Sequence, residues 1–191
     1  MSSDEEEIPP FKTRSLGEVV KRCLALYGFL GAGHGVPRSD VIEWLKRESL
    51  LDSISPKEHL LLFGGTATQQ QLINATWRAE AMVPIMWALN LFEVMPEPTR
   101  LCDLELIQKN IPEIGTSTAT FVSGSTLRSE EEITDANDQI FDRHWSIRDA
   151  QVFGRPVPNG LVPGVVQERH HALNWLVGYF DQDWDDVATD T

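Results

Sequence analysis

Apolar positions along most of this chain recur at helical spacing, and no run of alternating apolar and polar residues competes with them. Val19, Val20, Cys23, Leu24, Tyr27 and Leu30 return every three or four residues, the period of a helix that buries one face. Ser15-Leu16-Gly17-Glu18 precedes them with capping-box spacing, so a helix is expected to open at Ser15. The glycines of 31–35 are expected to stop it. Pro37 then starts a second helix with Val41, Trp44 and Leu45 on one face, and Ser55-Pro56-Lys57-Glu58 opens a third. A long helix is expected from about Gln69 to Phe92, kinked at Pro84, whose ring meets the carbonyl four residues back. A short helix follows at 103–109, and another long one at 129–152, announced by Ser129-Glu130-Glu131-Glu132. After a Pro/Gly-rich connection at 154–164, Pro163 starts the last helix, expected to reach Phe180. The Gly/Ser/Thr-rich stretch 115–126 reads as a loop or a short hairpin, with nothing to choose between them. The expectation is an all-α domain of about six or seven helices joined by Gly/Pro-rich loops, spanning 14–191 behind a disordered acidic lead-in at 1–13.

Composition supports a packed domain. Of 191 residues, 41% are hydrophobic and 24% charged, values of a globular rather than a disordered chain. The net charge of −13 is unevenly placed. Four carboxylates stand at 4–7 and five aspartates between 181 and 190, with no Lys or Arg in either stretch. These ends would repel a phosphate backbone, so nucleic acid is not an expected ligand, while a basic protein partner is compatible with them. The longest apolar run, Ala81 to Leu89, is nine residues and contains Pro84, against the roughly 20 that a membrane span needs. The acidic start has no apolar core of a signal peptide, and with only Cys23 and Cys102 there is no disulfide framework. A cytoplasmic protein is expected.

Several charged residues sit where the pattern calls for apolar ones. Arg169 lies in the stripe of Val165, Val166, Ala172, Leu173 and Leu176. A guanidinium cannot shed its proton there and must find acceptors. Glu80, on a stripe with Trp77 and Trp87, has the mirror problem. The expectation is a buried polar network among tryptophan rings. Either Arg169 and Glu80 form it, or Arg78 and Arg148 do so with Asp149 and the tail aspartates. Trp184, a large apolar side chain within DQDWDDVATDT, is expected to fold back onto the body.

Some of these runs carry a likeness. Arg14-Ser15-Leu16, Val41-Ile42-Glu43-Trp44-Leu45, Trp77-Arg78-x-Glu80 and Leu127-Arg128-Ser129-x-Glu131 belong to it. So do His144-Trp145-x-x-Arg148-Asp149-Ala150, Glu168-Arg169-His170-His171-Ala172-Leu173-Asn174-Trp175-Leu176, Asp183-Trp184-Asp185-Asp186-Val187 and Thr189-Asp190-Thr191. Together they resemble the bacterial family called domain of unknown function 4272, over about residues 13–191. The C-terminal third is the most specific part, and 112–126 has no counterpart. The resemblance implies a helical, cytosolic bacterial protein and brings no catalytic residues with it.

The chemistry-bearing candidates are therefore Arg78, Glu80, His144, Arg148, Asp149, Glu168, Arg169, His171 and Trp175. They form either a ligand-binding set or a buried polar network. His144 and Arg148 are four apart on one helix, and Glu168 and His171 three apart on another. A di-metal bundle needs two Glu-x-x-His motifs; one copy is present, so no metal and no cofactor are expected. GAGHGV at 31–36 lacks the third glycine of a dinucleotide fingerprint and follows a helix. No reaction can be named. The leading expectation is a protein-binding domain, of which an antitoxin- or immunity-like inhibitor is one form. The alternative is an enzyme or small-ligand binder with an Arg/His/Glu/Trp-lined pocket between the long helices.

Overall fold

The computed structural model describes residues 12–191, and the acidic run expected to be a disordered lead-in lies mostly outside them. Among the described residues there are eight α-helices and no strand. They are α1 (Leu16–Gly33), α2 (Arg38–Arg47), α3 (Pro56–Phe63), α4 (Gln69–Ala88), α5 (Leu104–Asn110), α6 (Ala119–Gly124), α7 (Glu130–Val152) and α8 (Pro163–Leu176), with three short 3-10 turns between or after them. The protein is all-α.

The helices begin where side-chain oxygens satisfy their free N–H groups. Reciprocal capping boxes close on Ser15 and Glu18, Ser55 and Glu58, and Ser129 and Glu132. A fourth, Thr68 with Gln71, starts α4. Five of them, α1, α2, α4, α7 and α8, end on a single residue in the left-handed conformation. In α1 that residue is Gly35, at φ 93°, with the Val36 N–H returning to the Gly31 carbonyl. Gly31 and Gly33 thus lie inside the helix rather than stopping it. A Cβ at Gly31 would stand 2.4 Å from Ile114, and one at Gly33 2.7 Å from Ala75. α4 stops before its expected end because Asn90 turns left-handed and the Leu91 N–H reaches back to Met86. Pro84 lies within α4 without ending it.

α1 packs between α2 and α4, α4 between α1 and α8, and α8 between α4 and α7. From Ala79 to Leu89 every residue of the α4 segment is buried, as expected of a helix covered on all sides. The stretch expected to be a loop or hairpin holds the six-residue α6. Its support is distant: Glu48, at the end of α2, accepts from both the backbone N–H and the hydroxyl of Thr118 at 2.9 and 2.8 Å. Trp44 and Arg47 donate to the carbonyls of Thr116 and Gly115.

Candidate functional site

α4 and α8 cross with one charge each on their shared face. Glu80 and Arg169 are 2% and 1% exposed. Arg169 Nη2 and Nε donate to Glu80 Oε2 at 3.0 and 3.3 Å, and Nη1 donates to the Pro96 carbonyl. The other Glu80 oxygen accepts the Cys102 backbone N–H at 2.6 Å. Both charges are thus paired and hydrogen-bonded, the condition under which buried ions are tolerated. Two residues before Glu80, Arg78 donates through Nη1 at 2.8 Å to Glu168, the residue before Arg169. Burial outweighs that contact and pushes the Glu168 carboxyl above its ordinary value.

Arg78 also faces the C-terminal segment, which folds back so that Trp184 is buried. Its indole is ringed by Arg22, with Cζ 4.7 Å from the ring centre, by Arg78 at 5.9 Å, and edge-on by His171 and Trp175. Arg22 donates to Glu58 and to the Ser53 carbonyl. Lys57 and Arg14 tie the same segment down: the Lys57 backbone N–H donates to Asp185, and Arg14 donates to Asp181 and the Gln182 carbonyl. Burial, with Arg78 adding to it, holds His171 down to about 3, so its ring stays neutral.

On the other side of α8, His144 and His170 meet Nδ1 to Nδ1 at 2.9 Å. Burial first, then His144, pushes His170 down to about 4, against an opposing hydrogen bond to Asn174. A neutral His170 has one N–H. Giving it to Asn174, the ring accepts at Nδ1, and the shared proton belongs to His144 Nδ1. Asn174 in turn donates to the Ala188 carbonyl at 2.8 Å, pinning the C-terminus.

The nine candidate residues therefore do not converge on one point. Glu80 pairs with Arg169, Arg78 with Glu168, and His171 and Trp175 wall in Trp184. Arg148 is exposed, and Asp149 pairs with Arg155, so neither joins the network expected of them. The helix turns both toward solvent: Ile140, His144 and Ile147 mark the buried face of α7, and Asp149 falls on the opposite one. Glu80 and Arg169 border different cavities, so the single pocket envisaged for an enzyme is not formed by these side chains. Sequence reasoning passed over Arg22 with Glu58, and His170 with Asn174. Arg22 stood beside Val19, Cys23 and Leu26, the same signal that singled out Arg169.

α7 also carries a surface that the core leaves uncovered. Phe141, Trp145 and Val152 are 41%, 53% and 76% exposed along one side. Trp145 is the only exposed tryptophan of the six. Beside this stripe, α7, α8 and the C-terminal segment enclose a cleft of about 440 Å³.

These features define a class: an all-α protein whose buried arginines and glutamates pair with one another across the helices. The chain matches the DUF4272 family, a domain of unknown function, over residues 3–187, and it belongs to that family. No curated protein and no solved structure matches it.

Proposed function

We propose that this protein is a binding module that docks a basic protein segment on the exposed side of α7. The observation that carries this reading is Trp145, half exposed where four of the other five tryptophans are buried and Trp77 is partly so. Exposed tryptophan is expensive to hydrate and is the side chain most often found at the centre of binding hot spots. Phe141 one turn before it and Val152 two turns after share its side of α7 at helix-in-groove spacing, with the exposed Arg148 between Trp145 and Val152.

Charge supports the sign of the partner. α7 holds seven carboxylates against Arg143 and Arg148, in a protein of net charge −13. Such a field attracts a basic partner and opposes a second copy of the same helix. A cationic amphipathic segment fits both features, and an antitoxin- or immunity-like inhibitor of a basic protein is one form this would take. No helix among the described residues is long and apolar enough to cross a membrane.

The test is calorimetric titration with a lysine/leucine amphipathic helical peptide, its sequence-scrambled counterpart and a glutamate/leucine analogue. The cationic amphipathic peptide should bind best, more weakly as salt rises, and Trp145→Ala should weaken it about tenfold or more. Equal binding by wild type and Trp145→Ala would overturn the reading. So would a wild-type dimer that Trp145→Ala converts to monomer.

A further inference from the structure

The cleft beside Trp145 is built from three separate stretches of chain. α7 contributes Glu130, Thr134, Asn137, Asp138 and Phe141, one side of the helix. α8 contributes His170 and Asn174, and the C-terminal segment brings Asp190 over the top, held there by the bond from Asn174 to Ala188. Tyr179 and Phe141 both line it.

Its chemistry has one sign. Glu130, Asp138 and Asp190 supply three carboxylates, and no Lys or Arg lines the cleft. His170 brings no cation, because burial keeps its ring neutral and both nitrogens are engaged by His144 and Asn174. Independently of the carboxylates, Asn137 Oδ1 is buried and accepts a hydrogen bond from nothing among the described residues. A buried acceptor without a donor costs free energy that a ligand N–H would recover. The aromatic walls of Phe141 and Tyr179 suit a flat, delocalised cation.

We propose that this cleft binds an alkylguanidinium group, and, resting on the docking reading above, that the group is an arginine side chain of the docked segment. A guanidinium is planar, always charged, and offers five N–H donors in a fixed fork. It can satisfy the Asn137 carbonyl and a carboxylate at once while lying against a ring. A compact ammonium does this less well.

The experiment uses the full chain and n-propylguanidine at low salt. Saturable shifts of the Asn137, Asp138 and His170 backbone amides in ¹⁵N spectra are expected, with propylamine binding more weakly. Asp138→Asn with Asp190→Asn should weaken the guanidine about tenfold. Both side chains are exposed, so the fold should not suffer. Trp145→Ala should leave guanidine binding unchanged while weakening the amphipathic peptide, which separates this site from the docking stripe. A peptide carrying one arginine should lose affinity when citrulline replaces it. No saturable shift in the cleft, or equal guanidine affinity in the double variant, would overturn the site even where peptide docking survives.

Discussion

Arg169 cannot give up its charge, so its position on a buried stripe forces an acceptor onto the facing helix, and Glu80 is that acceptor. The pair is more a constraint than a source of stability: two apolar side chains of similar volume could pack there as well, whereas one charge alone could not. Glu80→Ala should therefore lower the unfolding free energy by about 3–5 kcal/mol in urea denaturation, since Arg169 loses its partner and the Cys102 N–H its acceptor. Glu80→Leu with Arg169→Met should recover much of that loss. A single variant within about 1 kcal/mol of wild type would contradict the account. The histidines lead to a prediction in pH. Burial holds His170 down to about 4 and His171 to about 3, from an ordinary 6.5. Between those values the unfolded chain takes up protons that the folded one refuses. Stability is thus fully present above about 6.5 and falls as pH drops toward 4. Glu18, Glu48 and Glu132 lie below their ordinary 4.5, so their contribution is lost later. Glu168, held above 4.5 by burial, gains stability as pH falls, so the loss between pH 6.5 and 5 comes from the histidines. Urea midpoints across that interval should fall for wild type and fall less steeply for His170→Gln. Parallel curves would show that the ring titrates normally in the fold.

At the scale of the element, starts were legible and ends were not. A start is written in two residues three apart, as at Ser15 and Glu18 or Ser129 and Glu132, because the capping oxygen reaches only its own first turn. An end is set by whichever residue can turn left-handed, and the apolar pattern runs straight past it. Leu91 and Phe92 extend the period of α4, yet Asn90 stops the helix; Phe180 extends that of α8, yet Gly178 stops it. α6 was invisible for a different reason: Glu48, seventy residues away, holds Thr118 at its start through the backbone N–H and the hydroxyl. Gly178 carries the sharpest consequence. At φ 69° it already favours glycine, and a Cβ there would stand 2.3 Å from the Lys12 carbonyl oxygen, a backbone atom with little room to yield. Arg14, two residues on, donates its own N–H to the Leu176 carbonyl and so fixes this approach. Gly178→Ala should cost more than the ~1 kcal/mol of the left-handed conformation alone. Gly154→Ala, at φ 61° with open space around it, is the matched control. Equal losses in thermal melts would mean that the Lys12 contact does not constrain α8.

For the molecule as a whole, what could be read from the sequence was that charges among tryptophans had to be satisfied, not which partners would satisfy them. Arg148 and Asp149, expected inside, turn outward on α7, while Arg22 pairs with Glu58 across the fold. The cleft was illegible because its walls come from segments up to sixty residues apart, joined only by folding. The C-terminal segment links the buried core to the cleft. It buries Trp184 against α1, α4 and α8, and it carries Asp190 to the cleft. Of its five aspartates, Asp181 meets Arg14 and Asp185 accepts the Lys57 N–H at the start of α3. Removing residues 182–191 should act at two places. Loss of a buried indole costs roughly 3–5 kcal/mol in comparable cores, so the melting temperature should drop by several degrees or more. Loss of Asp190 should weaken n-propylguanidine as well. Trp184→Ala separates the two effects: it should reproduce most of the melting loss, and below the melt it should retain more guanidine affinity than the truncation does. A truncated protein that melts with wild type would mean that the Trp184 cage adds nothing to the fold. In that case the segment could not serve as the fixed lid of a cleft either.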